Sequence, residues 1–148
     1  MISHDVALAV HPSSARTARR FVRSCLNGTS SPVVDTAELL VSEVVTNSVR
    51  HADGHERSGT IELRLAVDDH VLRIEVTDDD PALPMVRSPD AATPSGRGML
   101  IVDRVADRWG CSRAGVGKVV WLELARSPTS RESRTADRWR CAAEHGDP

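Results

Sequence analysis

Three short stretches of the 148-residue chain carry side chains able to do chemistry together. In Ser42-Glu43-Val44-Val45-Thr46-Asn47-Ser48-Val49-Arg50-His51-Ala52, Glu43 and Asn47 are four residues apart and so neighbours on one face of a helix. A carboxylate placed there can polarise a hydroxyl or a water, and an amide oxygen can ligate a hard cation such as Mg²⁺. Arg50 follows on the same side. In Ile74-Glu75-Val76-Thr77-Asp78 an acid closes a strand, where its carboxylate can accept a hydrogen bond from an exocyclic amine. In Ser95-Gly96-Arg97-Gly98-Met99 two glycines precede a helix. Glycines let backbone N–H groups approach phosphate oxygens, a helix start adds partial positive charge, and Arg97 can supply a charge-assisted bond. The spacing is neither that of a Walker P-loop nor that of a GxGxxG fingerprint. Each stretch also has a plainer reading, as a polar helix face, a turn aspartate or an ordinary helix start. Their order and spacing together point to one site.

The elements that must position these groups follow from periodicity. Val6, Leu8 and Val10 alternate as in a strand, and His11-Pro12-Ser13-Ser14 reads as a turn with a helix cap. A helix over 15–26 gathers Ala15, Ala18, Phe21, Val22, Cys25 and Leu26 on one face and Arg16, Arg19, Arg20 and Arg23 on the other. That arginine stripe suits solvent, or else an acidic partner helix. Asn27-Gly28 is a C-cap signal. A long helix over 34–52 packs Ala37, Leu40, Val41, Val44, Val45 and Ser48, and Asp53-Gly54 stops it. Ile61, Leu63 and Leu65, then Leu72, Ile74 and Val76, alternate with polar residues around Asp68-Asp69, the pattern of an antiparallel hairpin with one wet face. Residues 79–95 hold Pro81, Pro84, Pro89 and Pro94, a loop of the length usually reserved for function or disorder. A helix over 99–107 and strands over 109–112 and 117–124 complete an α+β, two-layer sandwich with helices on one face of a mixed, mostly antiparallel sheet. Residues 1–126 form one domain, and the polar stretch 127–148 reads as a disordered tail.

Composition limits the alternatives. With 3% aromatic residues and net charge −2, the chain lacks both a base-stacking platform and the basic surface of a nucleic-acid binder. Three scattered cysteines, Cys25, Cys111 and Cys141, are a poor disulfide framework, which favours a reducing cytoplasm. No run of apolar residues is long enough for a membrane span. His51 and His55 flank Asp53-Gly54, which breaks the helix between them, so no metal site is expected there.

The three stretches resemble, in order, the motifs of the GHKL ATPases, and within them the small anti-sigma factor serine/threonine kinases and their histidine-kinase-like relatives. Residues 42–52 are similar to the N-box, Val76-Thr77-Asp78-Asp79-Asp80-Pro81 to the first glycine box, and Gly96-Arg97-Gly98-Met99-Leu100-Ile101-Val102 to the second. Gly117-Lys118-Val119-Val120-Trp121 resembles the closing strand, and the likeness runs over residues 6–124. The resemblance implies a Bergerat-type ATP-binding fold with ATP and Mg²⁺ as its ligands. By it, Asn47 holds Mg²⁺, Glu43 is the general base toward a protein serine hydroxyl, and Asp78 receives the adenine amino group. Residues 79–95 are by the same likeness the ATP lid. Gly96, Arg97, Gly98, Met99 and Leu100 cradle phosphate, and Arg50, His51, Asp80, Pro84 and Ser95 complete the nucleotide-binding set. Asp80 and Ala82 stand where glycines are usual, and Pro94 where a basic residue is usual, leaving Arg97 or Arg87 for that contact.

The implied function is a cytoplasmic, ATP-binding anti-sigma factor, often a homodimer. It would sequester a sigma factor and phosphorylate a serine of an anti-anti-sigma antagonist, with no direct contact to nucleic acid or membrane. The alternative is a binding module of the same fold that has lost catalysis.

Overall fold

A computed structural model of the protein describes residues 1–26, 31–51, 59–87 and 96–126. The elements run β1 (Ile2–Ala9), α1 (Ser14–Cys25), α2 (Pro32–His51), β2 (Thr60–Val67), β3 (Val71–Asp78), α3 (Gly98–Val105), β4 (Arg108–Ala114) and β5 (Gly117–Ala125). The strands form one five-stranded sheet in the order β1-β2-β3-β5-β4. Every pairing among the described strands is antiparallel, with none of the parallel component that a mixed sheet implies. The expected signals at Asn27-Gly28 and Asp53-Gly54 and the tail 127–148 lie outside the described residues.

The central strands of the sheet alternate. Ile61, Leu63 and Leu65 of β2, Leu72, Ile74 and Val76 of β3, and Val120, Leu122 and Leu124 of β5 are buried against the helices. Opposite-facing residues form a charged surface instead. Arg73 donates to Glu75 (2.7 Å) and Glu123 (3.0 Å), and its guanidinium lies 4.4 Å above the Trp121 ring. Gly110 on β4 makes room for that indole, since a Cβ there would stand 2.8 Å from Trp121 Cζ2.

The helix faces follow the apolar periodicity. Ala37, Leu40, Val41, Val44 and Val45 of α2 join Ala18 and Val22 of α1 and Met99 and Val102 of α3 in one core. Arg23 does not belong to the solvated stripe. Its guanidinium grips Glu38 of α2 through two bonds of 2.6 Å, while Arg16, Arg19 and Arg20 remain exposed. The expected side-chain cap of α1 is absent: Ser14 Oγ donates to Ala9 O (2.6 Å) and Ser13 Oγ lies 2.7 Å from His11 Nδ1, so both hydroxyls brace the turn from β1. At the hairpin, Asp68 Oδ1 accepts from the N–H groups of His70 and Val71 (2.8 and 2.7 Å), the local device that makes Asp a turn residue. Cys25 is a free thiol whose partial burial raises its pKa.

Two outcomes follow from this packing. Leu40 is fully buried, and Leu40→Ala should cost about 2–5 kcal/mol in chemical denaturation. The hydrogen bonds from Arg23 hold the Glu38 carboxyl below its ordinary value of 4.5. A lowered folded-state pKa stabilises above the unfolded value and is lost as pH falls through the folded one. The melting-temperature deficit of Glu38→Gln should therefore be full at neutral pH and vanish in acid.

Candidate functional site

The site begins where β3 ends. Asp78 and Lys118 are directly opposed in the β3–β5 ladder, and both point to the helix-covered side of the sheet. Lys118 is fully buried and Asp78 is 6% exposed. Lys118 Nζ donates to Asp78 Oδ1 at 2.9 Å and to the Asp80 carbonyl at 3.1 Å. Asp78 Oδ1 also accepts the Asp80 N–H at 2.9 Å, so the start of the loop folds back onto the carboxylate. The second oxygen, Oδ2, is enclosed and has no hydrogen-bond partner among the described residues. An enclosed carboxylate oxygen without a donor is costly, and suits a site completed by an incoming N–H. Gly117 is required for this closeness: a Cβ there would fall 1.8 Å from the Asp78 carbonyl oxygen.

Glu43 and Asn47 are half-buried on α2. Glu43 reaches the start of α3, for a Cβ on Gly98 would stand 2.6 Å from Glu43 Oε2. The first and third stretches of the sequence thus meet. Asn47 Nδ2 is also buried with no partner among the described residues, as are Ser42 Oγ and Arg108 Nε. No group of three or more His, Cys, Asp and Glu among the described residues could hold a metal ion. An amide such as Asn47 could give one oxygen to an ion whose other ligands are phosphate oxygens and waters, the usual habit of Mg²⁺.

At α3 the first helical bond runs from Ile101 N to Arg97 O (3.0 Å), and Arg97 supplies no side-chain cap. The N–H groups of Gly98, Met99 and Leu100 have no acceptor inside the helix, as at any helix start. Met99 is in the core, so it can offer phosphate only its backbone, and Leu100 is half-buried. Gly96 has φ +110°, a conformation that favours glycine, and a Cβ on it would meet Arg87 Cδ at 2.8 Å. Arg87 therefore lies across the Gly96 turn. Arg97 and Arg50 are exposed, and Pro84 is buried. Asp80 Oδ1 accepts the Ala82 N–H (2.9 Å), which commits one of its oxygens to the loop backbone. Ser95 and the side chain of His51 lie outside the described residues.

Sequence reasoning missed Lys118 as a site residue. The signal was present, because the only lysine of the chain occupies the inward register of a strand whose other inward residues are Val120, Leu122 and Leu124.

The fold is shared with known proteins. A family model described as a histidine kinase-like ATPase domain matches residues 8–124. An uncharacterized protein of Streptomyces coelicolor, SCO4941, is 34% identical over 96 residues, which are 62% of this chain and 90% of that protein. The catalytic domain of the histidine kinase ThkA, in a nucleotide-free form, superposes with a TM-score of 0.55 at 12% identity, covering 88% of this chain and 99% of that one. The histidine kinase domain of the blue-light activated kinase of Erythrobacter litoralis EL346 gives 0.52 at 24% identity, over 89% and 67% of the two chains. These structures share the α+β sandwich with this protein. By the extent of the family match, from the middle of β1 to the end of the core strand β5, the chain belongs to the histidine kinase-like ATPase domain family, of GHKL type.

Proposed function

We propose that this ATP-binding regulatory domain, residues 1–126, is a cytoplasmic anti-sigma factor that phosphorylates a serine of an anti-anti-sigma antagonist. The observation that carries the nucleotide part is Asp78 Oδ2, an enclosed acceptor with no donor among the described residues, at the strand end that resembles the family's adenine-binding acid. The adenine amino group is the donor it lacks. Asn47 supplies the amide oxygen for Mg²⁺, and Mg²⁺, when bound, neutralises charge between the phosphates. The first-turn amides of α3, with Arg87 and Arg97, hold phosphate oxygens. Arg50, His51, Asp80, Pro84 and Ser95 border the nucleotide. Glu43, beside the first turn of α3, accepts the proton of the serine hydroxyl on a carboxylate oxygen, which makes that hydroxyl the nucleophile. The exposed Arg16, Arg19 and Arg20 offer the sigma factor or the antagonist a basic face. A homodimer belongs to this reading. No described helix is long and apolar enough to cross a membrane.

Calorimetry on the full chain should show MgATP binding that loses its Mg²⁺ dependence in Asn47→Ala. Incubated with MgATP and the cognate antagonist, the wild type should form phosphoserine. Glu43→Ala should transfer about 10²–10⁴-fold more slowly with ATP affinity little changed. Equal transfer by both proteins would remove Glu43 from the chemistry. Binding of ATP and antagonist with no transfer at all would favour the non-catalytic binding module.

A further inference from the structure

The two oxygens of Asp78 are not equivalent, and Lys118 is the reason. Oδ1 accepts two hydrogen bonds, from Lys118 Nζ at 2.9 Å and from the Asp80 N–H at 2.9 Å, which is the ordinary capacity of one carboxylate oxygen. Oδ2 accepts none. The carboxylate therefore offers a ligand one acceptor atom, not a two-oxygen fork. Purines differ in what they bring to such a group. Adenine presents the 6-amino N–H beside N1, an acceptor, and needs one carboxylate oxygen. Guanine presents N1–H and the 2-amino group side by side, two donors that match a carboxylate with both oxygens open, and its O6 would meet Oδ2 with like partial charge.

From this count of acceptors we infer that Lys118 is a specificity-determining residue. By occupying Asp78 Oδ1 it restricts the site to bases with a single amino donor and rejects guanine. This rests on the proposed binding of a nucleotide at Asp78. Lys118 acts through Asp78 and is a positioning residue. Its second bond, to the Asp80 carbonyl at 3.1 Å, holds the loop so that the Asp80 N–H stays on Oδ1 as well.

The test uses the full chain and three nucleotides as their magnesium complexes: ATP, purine riboside triphosphate, which lacks the 6-amino group, and GTP. Calorimetry on the wild type should give ATP about 100-fold preference over GTP and at least about tenfold over the purine analogue. In Lys118→Met Oδ1 loses one of its two donors and can accept from a ligand again, and the ATP-to-GTP ratio should shrink by about tenfold or more. A folded Lys118→Met protein that keeps the wild-type ratio overturns the inference while leaving the nucleotide reading intact. Failure of the wild type to bind ATP overturns both. Should the variant not fold, the wild type still decides. Lys118 is the only lysine, so labelling lysine with ¹⁵N at Nζ gives a single side-chain signal. That signal should shift on saturation with MgATP and shift differently, or not at all, with the analogue lacking the amino group. Identical responses to the two nucleotides, or none to ATP, would reduce Lys118 to a structural residue.

Discussion

The buried pair of Asp78 and Lys118 is the constraint around which this molecule is arranged. Removing two charges from water costs several kcal/mol per ion, and mutual attraction offsets that only with good geometry and further hydrogen bonds. Here Nζ has two acceptors and Oδ1 two donors, all between 2.9 and 3.1 Å. Losing one partner of such a pair typically costs about 3–5 kcal/mol, because the other charge is left stranded. A hydrophobic pair would hold the two strands as well or better. What it could not do is leave a charged oxygen poised in an enclosed place.

Supporting features make sense in this light. The register that opposes Asp78 to Lys118 also opposes Ile74 to Leu122 and Leu72 to Leu124, so ordinary apolar packing fixes the position of the ions. Gly117 lets β5 start against the last peptide of β3. Across the layer, Gly98 lets the carboxylate of Glu43 lie against the first turn of α3. Two glycines thus set two close approaches. With a nucleotide bound as proposed, one lies beneath the base and the other beside the phosphates.

Much of the fold was legible because its periods are clean. The inward residues of β2, β3 and β5 alternate without a break, and the apolar face of α2 falls on the residues that periodicity picks. Local chemistry was less legible where a polar side chain had a choice of partners. Ser13 and Ser14 read as caps, yet their hydroxyls found His11 and Ala9 nearer to hand. Arg23 reads as one of a solvated row, yet a glutamate fifteen residues on draws it between two helices. At the site, Glu43, Asn47 and Asp78 stood out by type and spacing. Lys118 did not, because its meaning lies in a partner forty residues away in the chain and directly across in the sheet. An all-antiparallel sheet with β5 inserted between β3 and β4 is likewise a long-range fact that no local pattern encodes.

The same insertion means that the chain leaves β3 at Asp78 and, after α3 and β4, returns beside it at Lys118. α3 and β4 are themselves part of the layers, with Met99, Val102 and Trp109 in the core. The ion pair thus works as a clasp on an excursion whose ends stand 40 residues apart in sequence. What passes between those ends is braced at its two roots as well as along its helix and its strand.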